Sequence, residues 1–291
     1  MKRPAPLRGQ GRVARGGKAL AQPRSGWYSF TRMLMTSVGR VREGVRELGE
    51  LALMTREILR AAMTGRINMR DLVYQFYFLG VKSQSVVFIT GAFTGMVLCA
   101  QTYFQFHKVR MDTGTLALVS VSMCSELGPV LTALMVSGRV GAALAAELGT
   151  MKVTEQIDAL RTLATHPVDH LVLPRVIATT LAMPLLTAFS ITLGIGAAWL
   201  LGVYFFKIDG TYLKEHMLHY TTAVHVATGL IKSVVYGVII SVISCYKGLQ
   251  CGEGAEGVGR ATTEAVVYSS ITVLISNFFL TLFLNRVLPT S

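Results

Sequence analysis

Charge is scarce in this 291-residue chain, and acid is scarcer still: 15% of residues are charged, with 16 Asp and Glu against 28 Lys and Arg. With 52% hydrophobic residues and a mean hydropathy of +0.50, that shortage excludes an ordinary soluble domain. The four cysteines (Cys99, Cys124, Cys245, Cys251) show no CxxC spacing, and at least three lie in or beside apolar segments. They read as small core residues and not as a metal or redox site. No nucleotide loop is present. Gly16-Gly17-Lys18-Ala19 lacks the hydroxyl that should follow the lysine, and Arg12 stands at the first glycine position. The glycines at 252, 254, 257 and 259 are interleaved with Glu253 and Glu256, whose charge repels phosphate. His166 and His170 lack the HExxH glutamate, and His216 and His219 fall in a charged loop, so no metal site is expected. No Ser-His-Asp or Cys-His arrangement has motif context. There is no internal repeat, which weighs against folds built from duplicated halves.

The charge that exists is unevenly placed. The first 70 residues hold fifteen Lys/Arg and four Asp/Glu, which accounts for +11 of the net +12. The high isoelectric point therefore describes a basic N-terminal arm. Few aromatics accompany its basic residues and no nucleic-acid module is recognisable, so nucleic acid is not an expected partner. Residues 1–26 read as a disordered arm, without the apolar core of a secretory signal. Residues 27–78 mix apolar side chains with regularly spaced Arg and Glu, the pattern of an amphipathic helical region in a membrane interface.

Residues 79–291 then read as an all-α membrane domain. Five segments reach the length of about 20 apolar residues that crosses a bilayer. They are 83–106, 113–138, 176–206, 221–246 and 265–285, with Pro184 as the expected bend of the third. Basic residues before the first span place the N-terminus in the cytoplasm, and five crossings place the C-terminus on the other side. Segments 139–175 and 247–264 are then cytoplasmic.

Two features stand out. Glu126 is the lone acid of its span, and a carboxylate at membrane depth is costly enough that it usually faces a cavity or a partner. Gly128 and Pro129 directly after it loosen the helix, as a cavity-lining break would. Lys232 is read as nearer a membrane end, from which it snorkels to the interface. The second feature is the segment 147–163, where charges at Glu147, Lys152, Glu155, Asp158 and Arg161 alternate with Met151, Ile157 and Leu160. It reads as one amphipathic docking helix whose apolar side chains enter a groove on a soluble partner while the charges fix orientation.

At these residues the chain resembles the MlaE (YrbE) family of ABC-transporter permeases. The likeness runs through Glu126-Leu127-Gly128-Pro129-Val130, Gly138-Arg139-Val140-Gly141, Ala146 to Met151 and Thr154 to Leu160. It recurs at Pro174-Arg175, at Ile231 to Val235 and from Gly259 to Ser270, and it covers about residues 50–288. The resemblance implies a homodimeric permease of a bacterial inner membrane that moves phospholipid between inner and outer membranes. It also implies a separate ATPase subunit that binds the ATP and magnesium, a periplasmic ring of mammalian-cell-entry-type lipid-binding subunits, and often a STAS-domain subunit. It puts Glu126 at the family's central lipid cavity. It puts Glu147, Thr150, Met151, Lys152, Thr154, Glu155, Gln156, Ile157, Asp158 and Leu160 on the helix that couples to the ATPase. Relatives commonly carry a basic residue just before the Glu-Leu-Gly-Pro motif, where this chain has Ser125. The competing reading from residues alone is a self-sufficient secondary transporter relaying protons through Glu126, Lys232 or His225.

Overall fold

A computed structural model describes residues 46–63 apart from 48, 69–163 and 166–288. The basic arm lies outside the described residues, as do residues 27–45, 48 and 64–68 of the 27–78 interfacial region. The chain divides into a unit ending at Gly49 and a second unit, Glu50–Ser291, which carries the membrane domain.

Every element of the second unit is helical among the described residues. Helix α1 runs through 50–63. After it come α2 (Met69–Gly80), a single tight turn at Val81–Ser83, and α3 (Gln84–Lys108). One nearly continuous helical rod follows: α4 (Thr115–Ser122), a widened π turn (Met123–Leu127), α5 (Gly128–Val136), a second π turn (Ser137–Gly141) and α6 (Ala142–Val153). The short α7 (Gln156–Thr162) leads by a π turn at Val168–Val172 into α8 (Leu173–Leu200). After α9 (Gly210–Tyr220), capped by the Asp209 carboxylate accepting from the Thr211 amide at 2.8 Å, come α10 (Ala223–Leu249) and α11 (Gly254–Val287).

Five helical stretches are long and apolar enough to span a bilayer: Met69–Lys108, Thr115–Val153, Val168–Phe205, Ala223–Leu249 and Gly254–Val287. They match the five expected spans but overrun them, by 15 residues at the end of the second and 14 at the start of the first. A hydropathy window stops at the first charges, whereas a helix needs only that its backbone bonds continue.

Helices α8 and α10 form the centre. Helix α3 packs along α8, while α6 and α11 pack along α10. The α3–α8 contact depends on small residues, as close packing in lipid requires. A Cβ at Gly95 would collide with the backbone of Gly194, so the two helices touch main chain to main chain there. Three apolar clusters hold the bundle. One, around Met183, Leu186, Tyr236 and Ile240, binds the middle. A second, around Leu148, Val172, Leu173 and Cys245, takes in Met54 and Ile58 of α1. The third, around Cys99, Leu116, Met123 and Leu213, seats α9. Helix α1 is also tied by the Glu50 carboxylate, which accepts from the Tyr246 hydroxyl (3.1 Å) and the Gln250 amide (2.6 Å). Helix α11, by contrast, leaves Ile271, Ile275, Phe278, Phe279, Leu282 and Phe283 exposed.

The expected single docking helix is two helices. Glu147, Thr150, Met151 and Lys152 belong to the end of α6, Thr154 and Glu155 form an elbow, and Gln156, Ile157, Asp158 and Leu160 lie on α7. The break comes at Glu155, whose φ of 59° is left-handed and so cannot continue a right-handed helix. The expected apolar contact surface changes with it. Ile157 is buried within the chain, and the groups left exposed near the elbow include Val153, Glu155, Asp158, Arg161 and Leu163.

Candidate functional site

Pro129 has no N–H, so it cannot give the Ser125 carbonyl its helical hydrogen bond, and the rod widens into the π turn that carries Ser125 and Glu126. Helix α10 fits against this turn because residue 229 is glycine. A Cβ there would collide with the Cys124 carbonyl. One turn further along α10, Lys232 is brought to the orphaned backbone. Its ammonium donates to the Ser125 carbonyl (3.1 Å), to Glu126 Oε1 (2.6 Å) and to the Thr281 hydroxyl (2.8 Å). Those three acceptors use all three of its protons.

Lys232 therefore does not snorkel. Its side chain has no exposure to solvent, whereas that of Glu126 is 38% exposed. The cation is sealed inside and its carboxylate opens outward. A buried ammonium needs both a counter-charge and full hydrogen bonding to be tolerated, and here it has both. The cluster extends on both sides. The Thr281 hydroxyl approaches the Glu126 carboxylate (3.1 Å to Oε1) and bonds the Asn277 carbonyl at 2.8 Å, and Tyr236 donates to Asn277 Oδ1 at 2.6 Å. On the other side Ser125 Oγ lies 3.1 Å from His225 Nδ1. Three helical stretches thus converge on one polar spot, with α11 contributing Thr281 and Asn277. The basic partner absent at position 125 is supplied from α10.

Apolar space opens at Cys124 and Val226, the chain neighbours of Ser125 and His225. A groove of about 510 Å³ is lined by Cys124, Ile191, Ile195, Trp199, Met217 and Val226 among others, with Lys214 in its wall. Its lining is almost wholly hydrocarbon, the chemistry of a site for acyl or other apolar chains.

Two further ion pairs lie nearer the α7 end. Arg175 Nη2 meets Glu147 Oε2 at 3.2 Å, and Lys247 meets Glu264 at 3.3 Å while standing over the Tyr268 ring at 4.3 Å. Arg260 also bonds Glu264 at 2.9 Å. Glu147 is therefore committed within its own chain, and the Asp158–Arg161 pair at 2.9 Å is an exposed contact on α7. Sequence reasoning singled out Glu126 but missed Lys232, Thr281 and Asn277 as the residues around it. The available signal was charge complementarity: two spans, each with one formal charge, of opposite sign.

The family model described as Permease MlaE matches residues 72–283. A Rickettsia felis protein named "Probable ABC transporter permease protein" is 42% identical over 249 residues, 85% of this chain and 96% of its own length. The Haemophilus influenzae "Intermembrane phospholipid transport system permease protein MlaE" is 36% identical over 241 residues, 81% of this chain and 91% of its own. The Arabidopsis thaliana "Protein TRIGALACTOSYLDIACYLGLYCEROL 1, chloroplastic" is 37% identical over 227 residues, 78% of this chain and 65% of its own. The match takes in the π turn, the elbow and the polar cluster, and this chain belongs to the MlaE permease family.

Proposed function

We propose that this chain is the membrane subunit of an ATP-driven phospholipid transporter, working as a homodimer in a bacterial inner membrane and energised by a separate ATPase. The observation that carries the reading is the polar cluster itself. A sealed Lys232 holds an outward-facing Glu126 at membrane depth, beside an apolar groove and the uncovered face of α11. A lipid needs both surroundings, hydrocarbon for its chains and a polar spot for its headgroup. The exposed aromatic and aliphatic residues of α11 suit a second copy, which would close the space in front of Glu126. The elbow and α7 suit the ATPase, with Glu155 and Asp158 setting orientation. The N-terminus would face the cytoplasm and the C-terminus the periplasm, where a mammalian-cell-entry-type ring would receive lipid. A STAS-domain subunit would sit on the ATPase. Family membership and the phospholipid-transport name of the Haemophilus relative support the substrate class.

The test is reconstitution with the ATPase partner in vesicles containing fluorescent phospholipid. A photocrosslinker at position 126 should capture lipid, and transport should stop when the ATPase alone is disabled. Transport that persists on a proton gradient with a dead ATPase would favour the secondary-transporter reading. Crosslinks from 126 to protein only would remove lipid from this site.

A further inference from the structure

We propose a second lipid site, distinct from the Glu126 cluster: a receptor for a primary-amine zwitterionic phospholipid headgroup in the leaflet on the α7 side, in the groove between α2, α6 and α8. The groove has a volume of about 540 Å³, and its lining includes Tyr74, Gln75, Phe78, Glu147, Thr150 and Arg175. Two of these residues carry buried polar atoms with no hydrogen-bond partner among the described residues, Arg175 Nη1 and Gln75 Oε1. Arg175 is more than nine-tenths buried. Its other terminal nitrogen is held by Glu147, so the guanidinium is fixed with both Nη1 protons unspent. An unpaired buried donor and an unpaired buried acceptor each cost desolvation that only a ligand or water can recover.

The chemistry selects the ligand. Arg175 and Glu147 cancel in charge, so the groove does not favour a net anion. The unspent guanidinium N–H needs an acceptor such as a phosphodiester oxygen. Gln75 Oε1 needs a donor such as an ammonium, and the half-exposed Glu147 carboxylate adds negative charge to the same groove. A phosphate–ammonium zwitterion supplies both, and the Tyr74 ring adds a face for the cation. A quaternary ammonium has no N–H for Gln75, so an ethanolamine headgroup fits where choline does not. Depth points the same way. Met69–Lys108 is a helical stretch of 40 residues, roughly 60 Å at 1.5 Å per residue, twice the hydrocarbon thickness. Its first turns therefore lie at headgroup level, where exposed Val73, Tyr74 and Tyr77 form the aromatic-aliphatic mixture of an interface. The site would hold lipid whether or not the Glu126 cluster carries cargo.

The test uses the full-length protein with benzoylphenylalanine at position 74, in nanodiscs of phosphatidylethanolamine or phosphatidylcholine on the same phosphatidylglycerol background. Illumination followed by mass spectrometry should find an ethanolamine-lipid adduct about tenfold above the choline-lipid adduct, the scale of one hydrogen bond to a charged group. Gln75→Leu should erase that preference while leaving the unfolding temperature unchanged, which separates recognition from folding. Arg175→Lys should lower adduct yield for both lipids. Equal capture of the two lipids, capture insensitive to Gln75→Leu, or capture of protein alone would overturn the site. Displacement of the lipid adduct by excess soluble glycerophosphoethanolamine would assign the groove to a soluble phosphodiester and overturn the lipid source.

Discussion

Replacing Glu126 by Gln keeps the shape of the side chain and one acceptor but removes the counter-charge of Lys232. The ammonium has no water to turn to, since Lys232 is fully buried, and its remaining acceptors, the Ser125 carbonyl and Thr281 hydroxyl, are neutral. Breaking a buried ion pair by removing one partner costs about 3–5 kcal/mol, and the partly exposed Glu126 puts this pair at the lower end. The reciprocal change, Lys232→Met, strands a carboxylate that is 38% exposed and can hydrate or take up a proton, so it should cost about half as much. The double variant Glu126→Gln/Lys232→Met leaves no stranded charge and should recover most of the loss. The four buried free cysteines supply the assay, because a thiol-reactive dye reports unfolding only when they are uncovered. At about 3 kcal/mol, Glu126→Gln should lower Tm by about 10 °C in detergent. Lys232→Met should fall between that and wild type, and the double variant should lie within a few degrees of wild type. Additive losses in the double variant, or a Lys232→Met loss as large as that of Glu126→Gln, would refute the sealed-cation account.

Three further outcomes are expected. Glu155→Gly should raise Tm by about 3 °C by relieving the left-handed elbow, which is worth about 1 kcal/mol, whereas Glu155→Val should lower it. Glu155→Lys combined with Asp158→Lys should leave the chain folded but weaken co-purification of the proposed ATPase partner at least about tenfold, and unchanged assembly would remove α7 from the proposed docking surface. Gly229→Leu should push α10 off the Cys124 carbonyl, so that a disulfide engineered between α10 and α5 to report their spacing forms in wild type but not in the variant.

The five spans and the odd carboxylate were legible because each is a property of a single segment: length, apolarity, and one acid where none belongs. The pairing was not. Lys232 stands 106 residues from Glu126, and no periodicity links them; a lone lysine in an apolar helix looks the same whether it snorkels or is buried. The elbow was hidden for a different reason. Left-handed backbone is usually announced by Gly or Asn, and here a glutamate adopts it, so 147–163 looked like an uninterrupted amphipathic helix. The reach of the second span beyond residue 138 was hidden by Arg139, which ends an apolar run without ending a helix. Glu147 was assigned to the docking helix on its charge, and only the position of Arg175 shows that this charge is answered within the chain.

The two π turns of the second rod also set its angular bookkeeping. Each wide turn accommodates one residue more than an α-helical turn would, so each shifts the phase of everything beyond it by about 100°. The angle between the face that presents Glu126 and the face that presents Glu147 therefore depends on two such offsets, which lie at Met123–Leu127 and Ser137–Gly141. Deleting a single residue from the second turn would let the helix anneal without breaking. It would also swing α6, its elbow and α7 around the rod by roughly a quarter-turn relative to the polar cluster. Such a variant would keep its spans, its composition and nearly all its backbone bonds, yet its two ends would point in mismatched directions.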